Sequence, residues 1–401
     1  MRLLAIMMLA TLAACSSTDE IDQDTGPKGL PSFDSEVSLD AQWKTQIGKG
    51  LGKTFADLTP SIQSGVLYAA DHKGLVQALT LESGEQLWSE DFSSELSSGV
   101  AVGKQLGFVA SLNGEIIAFN LTDGSESWRS DVKSEVLSVP QVNGQYLAAQ
   151  TADGKLHILK TSNGKRLWSF DSNLPSLSVR GTSAPVFYKD MVIAGFASGK
   201  VVGLNIEDGS VMWQERIGVP AGRSELERLV DVDGRLLVRD DVLYVCGYQG
   251  HIAAIDLSSG KMRWKREASS YHGPLAGLGN LYIVADNDQV KAFDERSAND
   301  VWIQADLEGR QLSEPVLFAG HLAVADYEGY IHVIKQLDGA IIGRQQVVRP
   351  ALDWVKTGSY GMKHPSRQFS LDPGIRTRLL TQDNYLIALS NSGLLSVFQL
   401  D

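Results

Sequence analysis

The stretch Gly74-Leu75-Val76-Gln77-Ala78-Leu79-Thr80-Leu81-Glu82-Ser83-Gly84-Glu85-Gln86-Leu87-Trp88 decides the fold, because the chain repeats its pattern. GEIIAFNLTDGSESW runs from Gly114 to Trp128, and GKLHILKTSNGKRLW from Gly154 to Trp168. GKVVGLNIEDGSVMW runs from Gly199 to Trp213, and GHIAAIDLSSGKMRW from Gly250 to Trp264. The template is Gly, nine residues, Gly, three residues, Trp. Two degraded copies follow. DQVKAFDERSANDVW ends at Trp302 with Asp288 and Ala298 in place of the glycines, and GYIHVIKQLDGAIIG ends at Gly343 in place of Trp. Repeats of this period indicate an array of like units, and they are sought before any local structure.

Each copy has a physical reading. After the first Gly, apolar residues alternate with others, as in Leu75, Gln77, Leu79 and Leu81, which is the period of a strand. Ser83-Gly84, Asp123-Gly124, Asn163-Gly164, Asp208-Gly209, Ser259-Gly260 and Asp338-Gly339 then make tight turns, where Gly tolerates positive φ. A second strand carries the Trp. Upstream of each template lies another apolar strand, at 66–70, 106–110, 146–149, 191–194, 243–246, 281–285, 321–325 and 385–389. That makes eight strand pairs.

The eighth pair ends with the chain at Asp401, one strand before its expected Trp. The missing strand stands at the other end. Ser38-Leu39-Asp40-Ala41-Gln42-Trp43 has the form of a Trp-bearing half without its first half, and it would close the ring by completing the last sheet. Seven of the eight Trp, all but Trp354, then share one slot. The expected fold is all-β: an eight-bladed β-propeller of four-stranded antiparallel blades. Successive first-glycine positions, with Asp288 standing in, are 74, 114, 154, 199, 250, 288, 329 and 393, and the widest gaps mark insertions at 222–239 and 344–378. Loops on a regular frame are where function concentrates.

Composition limits the partners. The chain has 401 residues, 43% hydrophobic, with 36 Lys and Arg against 48 Asp and Glu, a formal charge of −12. An acidic chain with a full apolar complement is neither disordered nor built to wrap nucleic acid. Arg2 followed by an apolar run from Leu3 to Leu12 makes a secretory signal, too short to span a bilayer. Leu12-Ala13-Ala14-Cys15 resembles a bacterial lipobox, which implies cleavage after residue 14 and a lipid on Cys15. Ser16 in place of Asp points to the outer membrane. Residues 15–39 are polar, with Gly26-Pro27, Gly29 and Pro31, and are expected as a lipidated flexible tether ahead of a single propeller over 40–401. Cys246, in a strand pattern, is expected as a buried apolar thiol.

The Gly and Trp spacing resembles the repeat of pyrroloquinoline-quinone dehydrogenases. With the lipobox and eight blades in the rest of the chain, the whole is similar to the BamB family, lipoprotein subunits of the machinery that assembles outer-membrane β-barrels. Two segments carry the resemblance further: Leu174-Pro175-Ser176-Leu177-Ser178-Val179-Arg180-Gly181-Thr182-Ser183-Ala184-Pro185 and Glu227-Arg228-Leu229-Val230-Asp231-Val232-Asp233. The resemblance implies that these loops meet the periplasmic POTRA domains of a BamA-like protein within a multi-subunit complex. Leu177, Val179 and Arg180 would be contacts in the first, and Asp231 and Asp233 in the second. An apolar pair beside an Arg is the composition of an interface hot spot. Two carboxylates two residues apart could order that Arg or receive a partner's base. In the alternative reading Leu177 and Val179 are strand residues facing a neighbouring blade. Open blade edges could also receive extended strands of unfolded outer-membrane proteins.

The enzyme readings are weaker. No two Cys are adjacent, no acidic and amide cluster stands out for Ca²⁺, and the seven His include no pair at zinc-ligand spacing, so no cofactor and no metal are expected. Gly48-Lys49-Gly50-Leu51-Gly52-Lys53-Thr54 lacks the first Gly of a phosphate loop and no helix follows, so a mobile inter-blade loop is expected there. The stretch 344–378 holds Arg344, Arg349, Lys356, Lys363, Arg367, Arg376 and Arg378 against Asp353 and Asp372, with Trp354, Tyr360 and Phe369. It reads either as a solvated insertion or as a contact for anionic lipid or an acidic surface. The remaining alternatives for the chain are another envelope-located binding propeller or a relative of the quinone dehydrogenases.

Overall fold

The computed structural model describes residues 27–53, 56–172, 183–220, 223–224, 229–348 and 374–401. Among them are thirty-two strands and no helix, arranged as eight four-stranded antiparallel sheets. Blade 1 shows the plan: β2 (Ser61–Gln63) nearest the axis, then β3 (Val66–Ala70), β4 (Leu75–Thr80) and β5 (Gln86–Asp91) outermost. The two middle strands supply most of the core. Leu67, Ala69, Ala70, Val76 and Ala78 are fully buried, whereas β5 is largely exposed. The apolar clusters run between neighbours: one joins Leu389 and Val397 of the last blade to Leu67 and Leu79 of blade 1 and Val109 and Phe119 of blade 2. No blade could bury its own faces alone.

The repeated Gly and Trp lie four residues apart in sequence but do not serve each other. Trp43, Trp88, Trp128, Trp168, Trp213 and Trp302 each pack on the turn glycine of the next blade, and Ala298 holds that turn position in the blade after Trp264. A Cβ on Gly84 would meet the Trp43 ring at 2.6 Å, one on Gly124 the Trp88 ring at 2.7 Å, and one on Gly164 the Trp128 ring at 2.5 Å. The indole Nε1 then donates to a carbonyl of that same turn: Trp43 to Leu81, Trp88 to Leu121 and Trp128 to Thr161, at 2.8–2.9 Å. Trp168, Trp264 and Trp302 repeat the bond to Ile206, Glu295 and Gln336. Trp213 packs on Gly260 but leans over Gly203 of its own blade, and its Nε1 finds no acceptor. The turn glycines have φ near +70°, so the position excludes a side chain twice, by backbone and by ring. A β-bulge stands just before the Trp, between the partners of Ala78 and Leu79 in blade 1, and aims the ring at its neighbour.

The ring closes through the N-terminus. β1 (Leu39–Gln46) pairs with β32 (Leu394–Leu400) from Leu39 opposite Leu400 to Gln46 opposite Leu394, completing the sheet of β30 (Leu380–Gln382) and β31 (Tyr385–Leu389). This closure explains Gly343. The last blade takes its outer strand from the other end of the chain, so it has no turn between its third and fourth strands on which a Trp of blade 7 could pack. Val37 fills the space instead, its Cγ2 2.7 Å from where a Gly343 Cβ would stand.

Two expectations change. Of the stretch read as a tether, residues 27–38 are described, and they belong to the ring's packing. Glu36 N–H donates to Ile342 O at 2.8 Å, and Lys28 N–H to Glu308 O at 3.1 Å. Phe33 packs against the apolar cluster between blades 6 and 7. The Gly48–Gly52 region, expected to be mobile, is tied on both sides: Leu51 N–H bonds Asn391 O, His72 N–H bonds Gly50 O, and Lys49 N–H bonds the Asp71 carboxylate at 2.7 Å. Gly50, at φ +70°, lies so close to the Asn391 backbone that a Cβ would come within 2.4 Å of it. The glycines there permit close backbone approach. Cys15 lies outside the described residues. Cys246 is buried at 1% exposure, and burial pushes its thiol well above the usual range, so it stays protonated.

Candidate docking face and axial cavity

Antiparallel order sorts the loops. The connections from an outermost strand to the next blade's innermost strand share one face of the ring with the turns between second and third strands. All three long insertions are of this kind. They lie between β13 (Arg166–Asp171) and β14 (Val186–Tyr188), between β17 (Val211–Arg216) and β18 (Leu237–Arg239), and between β29 (Ile341–Gln346) and β30. One face therefore carries every long loop.

Leu177, Val179 and Arg180 lie outside the described residues. Their segment returns to the ring at Ser183, which is fully buried and donates its hydroxyl to Gly234 O at 3.2 Å, beside Asp233. The two loops singled out in the sequence thus converge. Asp231 is anchored through its backbone, its carbonyl accepting Tyr248 N–H at 2.8 Å, and it is 1% exposed. Its buried carboxyl lies near that of Asp233, which is half-buried, and two carboxyl groups so placed favour a proton on one of them. Burial pushes the Asp233 carboxyl up to about 6, and the Asp231 side chain offsets that only in part. Asp231 shapes the loop from within, and Asp233 lines the cavity inside this face.

The sign of the pH effect follows. Between the ordinary carboxyl range and about 6, the folded protein holds a proton that the unfolded chain has released, so stability falls as pH rises through this window. The penalty above it is at most about 3 kcal/mol. Asp233→Asn is therefore expected to melt higher than wild type at neutral pH and alike near pH 4. Melting curves across pH check this; equal melting at both ends would refute it.

Inside the face, two cavities of about 360 and 370 Å³ lie among the innermost strands and the connections that enter them. Asp57, Thr59, Ala184, Arg235 and Arg378 line both and form the collar between them. Arg235 Nε donates to Glu314 Oε1 at 2.9 Å, and Arg378 Nε lies 3.8 Å from the same oxygen. Burial alone would raise Glu314, but the charges of Arg235 and Arg378 hold its carboxyl below the usual range. In the same wall His272 Nε2 donates to Leu312 O at 3.0 Å, and burial lowers its proton affinity. Tyr271, exposed at the rim, stacks on Tyr248 with ring centroids 4.6 Å apart. Of the charged residues here only Arg378 was named in the sequence, as part of the basic stretch 344–378; the one further signal was position just ahead of an innermost strand. No group of three or more His, Cys, Asp and Glu placed to hold a metal occurs among the described residues.

Arg344, Arg376 and Arg378, counted with the basic insertion, turn inward. Arg344 donates to His332 Nδ1 and Pro31 O, and Arg376 to Asn391 and Gly52 O. The rest of that insertion, 349–373, lies outside the described residues.

Comparison with known proteins places this architecture. The family model described as "Outer membrane protein assembly factor BamB" matches residues 72–304. A protein of that name from Pseudomonas aeruginosa is 51% identical over 344 residues, 86% of this chain and 90% of that one. The chain belongs to the BamB family. The BamB of Escherichia coli K12 is 36% identical over 352 residues, covering 85% of this chain and 90% of its own. The crystal structure of BamB from Moraxella catarrhalis superposes with a TM-score of 0.78 at 23% identity, over 90% of this chain and 99% of that one. Quinohemoprotein alcohol dehydrogenase from Comamonas testosteroni shares the fold at a TM-score of 0.66 and 12% identity, over 90% of this chain and 76% of that one. The quinone-enzyme likeness is one of fold alone.

Proposed function

We propose that this BamB-family chain is a non-enzymatic scaffold lipoprotein of the outer-membrane β-barrel assembly machinery. It is held to the outer membrane by lipid on Cys15, faces the periplasm, and docks the POTRA domains of a BamA-like protein to promote barrel folding and insertion. Family membership supports the assembly role. The hydrogen bond from Ser183 to Gly234 carries the site reading, because it brings the end of the loop bearing Leu177, Val179 and Arg180 beside Asp233. Leu177 and Val179 supply apolar anchors, Arg180 and Asp233 charges of opposite sign, and Asp231 holds the second loop in shape. A ring whose blades brace one another fixes Ser183 and Asp233, the described ends of these loops, which lowers the ordering cost of binding.

Co-purification from detergent-solubilised envelope tests the reading. Arg180→Glu is expected to reduce recovery of the BamA-like partner at least about tenfold, since charge reversal in an interface centre costs more than about 1.4 kcal/mol. Unchanged recovery with a variant of wild-type melting temperature would refute the assignment of Arg180. Failure of wild type to recover the partner would refute the function.

A further inference from the structure

The collar between the two cavities leaves its two guanidinium groups only partly engaged. Arg235 and Arg378 both turn their Nε edge to Glu314 Oε1, at 2.9 and 3.8 Å, so two guanidinium groups share one carboxylate oxygen. The other oxygen of Glu314 is taken by Gly273 N–H at 3.3 Å. Asp57, the remaining carboxylate of the collar, accepts both the N–H and the hydroxyl of Thr59 through its Oδ1. The terminal nitrogens of Arg235 and Arg378 donate to nothing else among the described residues, and both side chains line both cavities. Burial of Arg378, together with the charge of Arg235, weakens its hold on its proton, and Glu314 and Asp57 offset this only in part. The terminal N–H groups that this arrangement leaves over match a planar, bidentate acceptor such as a carboxylate.

The inner cavity narrows the choice of anion. Its wall is made of innermost strands, including Ser61, Ala101, Val102, Gln141, Val142 and Val186. Those strands are hydrogen-bonded on one side only, since each is the first strand of its sheet. Their free edges present backbone N–H and C=O groups towards the axis, between small apolar side chains. A compact inorganic anion would leave those edges unused. An extended chain end matches both features, with its carboxylate on the two Arg forks and its last residues along the strand edges.

We propose that the axial cavity binds the terminal carboxylate of an extended, apolar peptide, with Arg235 and Arg378 as the carboxylate receptor. This site adjoins the loop contacts proposed above, since Asp233 lines one of its two cavities, but it rests on Arg235 and Arg378 and stands whether or not those contacts are correct.

The probe is an N-terminally labelled pentapeptide of alternating serine and valine that ends in valine, made with a free carboxylate and with a carboxamide. Fluorescence anisotropy with the full chain is expected to show at least about tenfold tighter binding of the free acid, the worth of one charge-assisted contact. Arg378→Gln and Arg235→Gln, each checked by melting temperature, are expected to abolish the difference between acid and amide. Equal binding of the two peptides by wild type, or no binding of the free acid up to about 1 mM, would overturn the proposal even where a variant fails to fold. A third arm adds inorganic phosphate alone as competitor. Displacement of the peptide by equimolar phosphate would overturn the peptide assignment and leave a general anion site; resistance supports it.

Discussion

A chain that begins after Gln46 is expected to lose its monomeric ring. Without β1, the whole length of β32 from Leu394 to Leu400 becomes an open sheet edge. Trp43 no longer packs on Gly84 or donates to Leu81 O. Loss of a large aromatic at such a contact costs about 3–5 kcal/mol, and each lost backbone hydrogen bond about 1 kcal/mol more. Adjacent blades share their cores, so the opening does not stay local. The truncated protein will melt well below the full chain and elute as dimers or larger species, because an uncovered edge pairs with another. Adding back a peptide of residues 38–46 will restore part of the lost stability. A truncated chain that stays monomeric and melts like the full one would show that the ring does not depend on this closure.

Arg310→Ala is the second large effect. Arg310 is 2% exposed, and its Nε and Nη2 both donate to Asp326 Oδ2, at 2.9 and 2.7 Å. Nη2 also reaches Glu328 at 2.5 Å, and Nη1 holds Lys28 O at 3.0 Å. Asp326 is fully buried and accepts His332 Nε2 at 3.0 Å, while His332 Nδ1 accepts from Arg344. That pattern makes His332 a neutral ring donating through Nε2. Arg344 in turn lies over Phe33, 4.7 Å from the ring centre. Removing Arg310 leaves a buried carboxylate without its countercharge, at a cost of about 3–5 kcal/mol. It also frees the segment around Lys28. Chemical denaturation will show the loss, and limited proteolysis will show faster cleavage between Lys28 and Phe33. Adding Asp326→Asn to Arg310→Ala will recover much of the stability, since no buried charge then remains. A double variant as unstable as the single would place the cost in packing instead.

The face of the candidate site was only partly legible. The long gaps in the repeat pointed to the right connections, and family likeness picked out Asp231 and Asp233. The pattern did not reveal that Asp231 is buried, because Asp-x-Asp on a loop looks the same whether it faces water or the core. That Arg235, Glu314 and Arg378 form one cluster was hidden for another reason. They lie far apart in sequence, and each precedes a different innermost strand. Only the ring brings them to one axis. Arg344 and Arg378 looked like part of a basic insertion because charge counted along a chain carries no direction.

By itself the sequence determined the blade count, the strand order within a blade and the use of the N-terminal strand to close the ring. Those follow from local physics: period-two burial, turn glycines at positive φ, and an unpaired half-repeat at each end. What the tertiary structure decided was which repeats meet. A Trp and the Gly four residues before it are neighbours on paper, yet each serves a different blade, because a flat sheet stabilises itself only against the next one round the ring. The same rule explains why Gly343 replaces a Trp, why Phe33 and Val37 dock on blades 6 and 7, and why three arginines leave the surface.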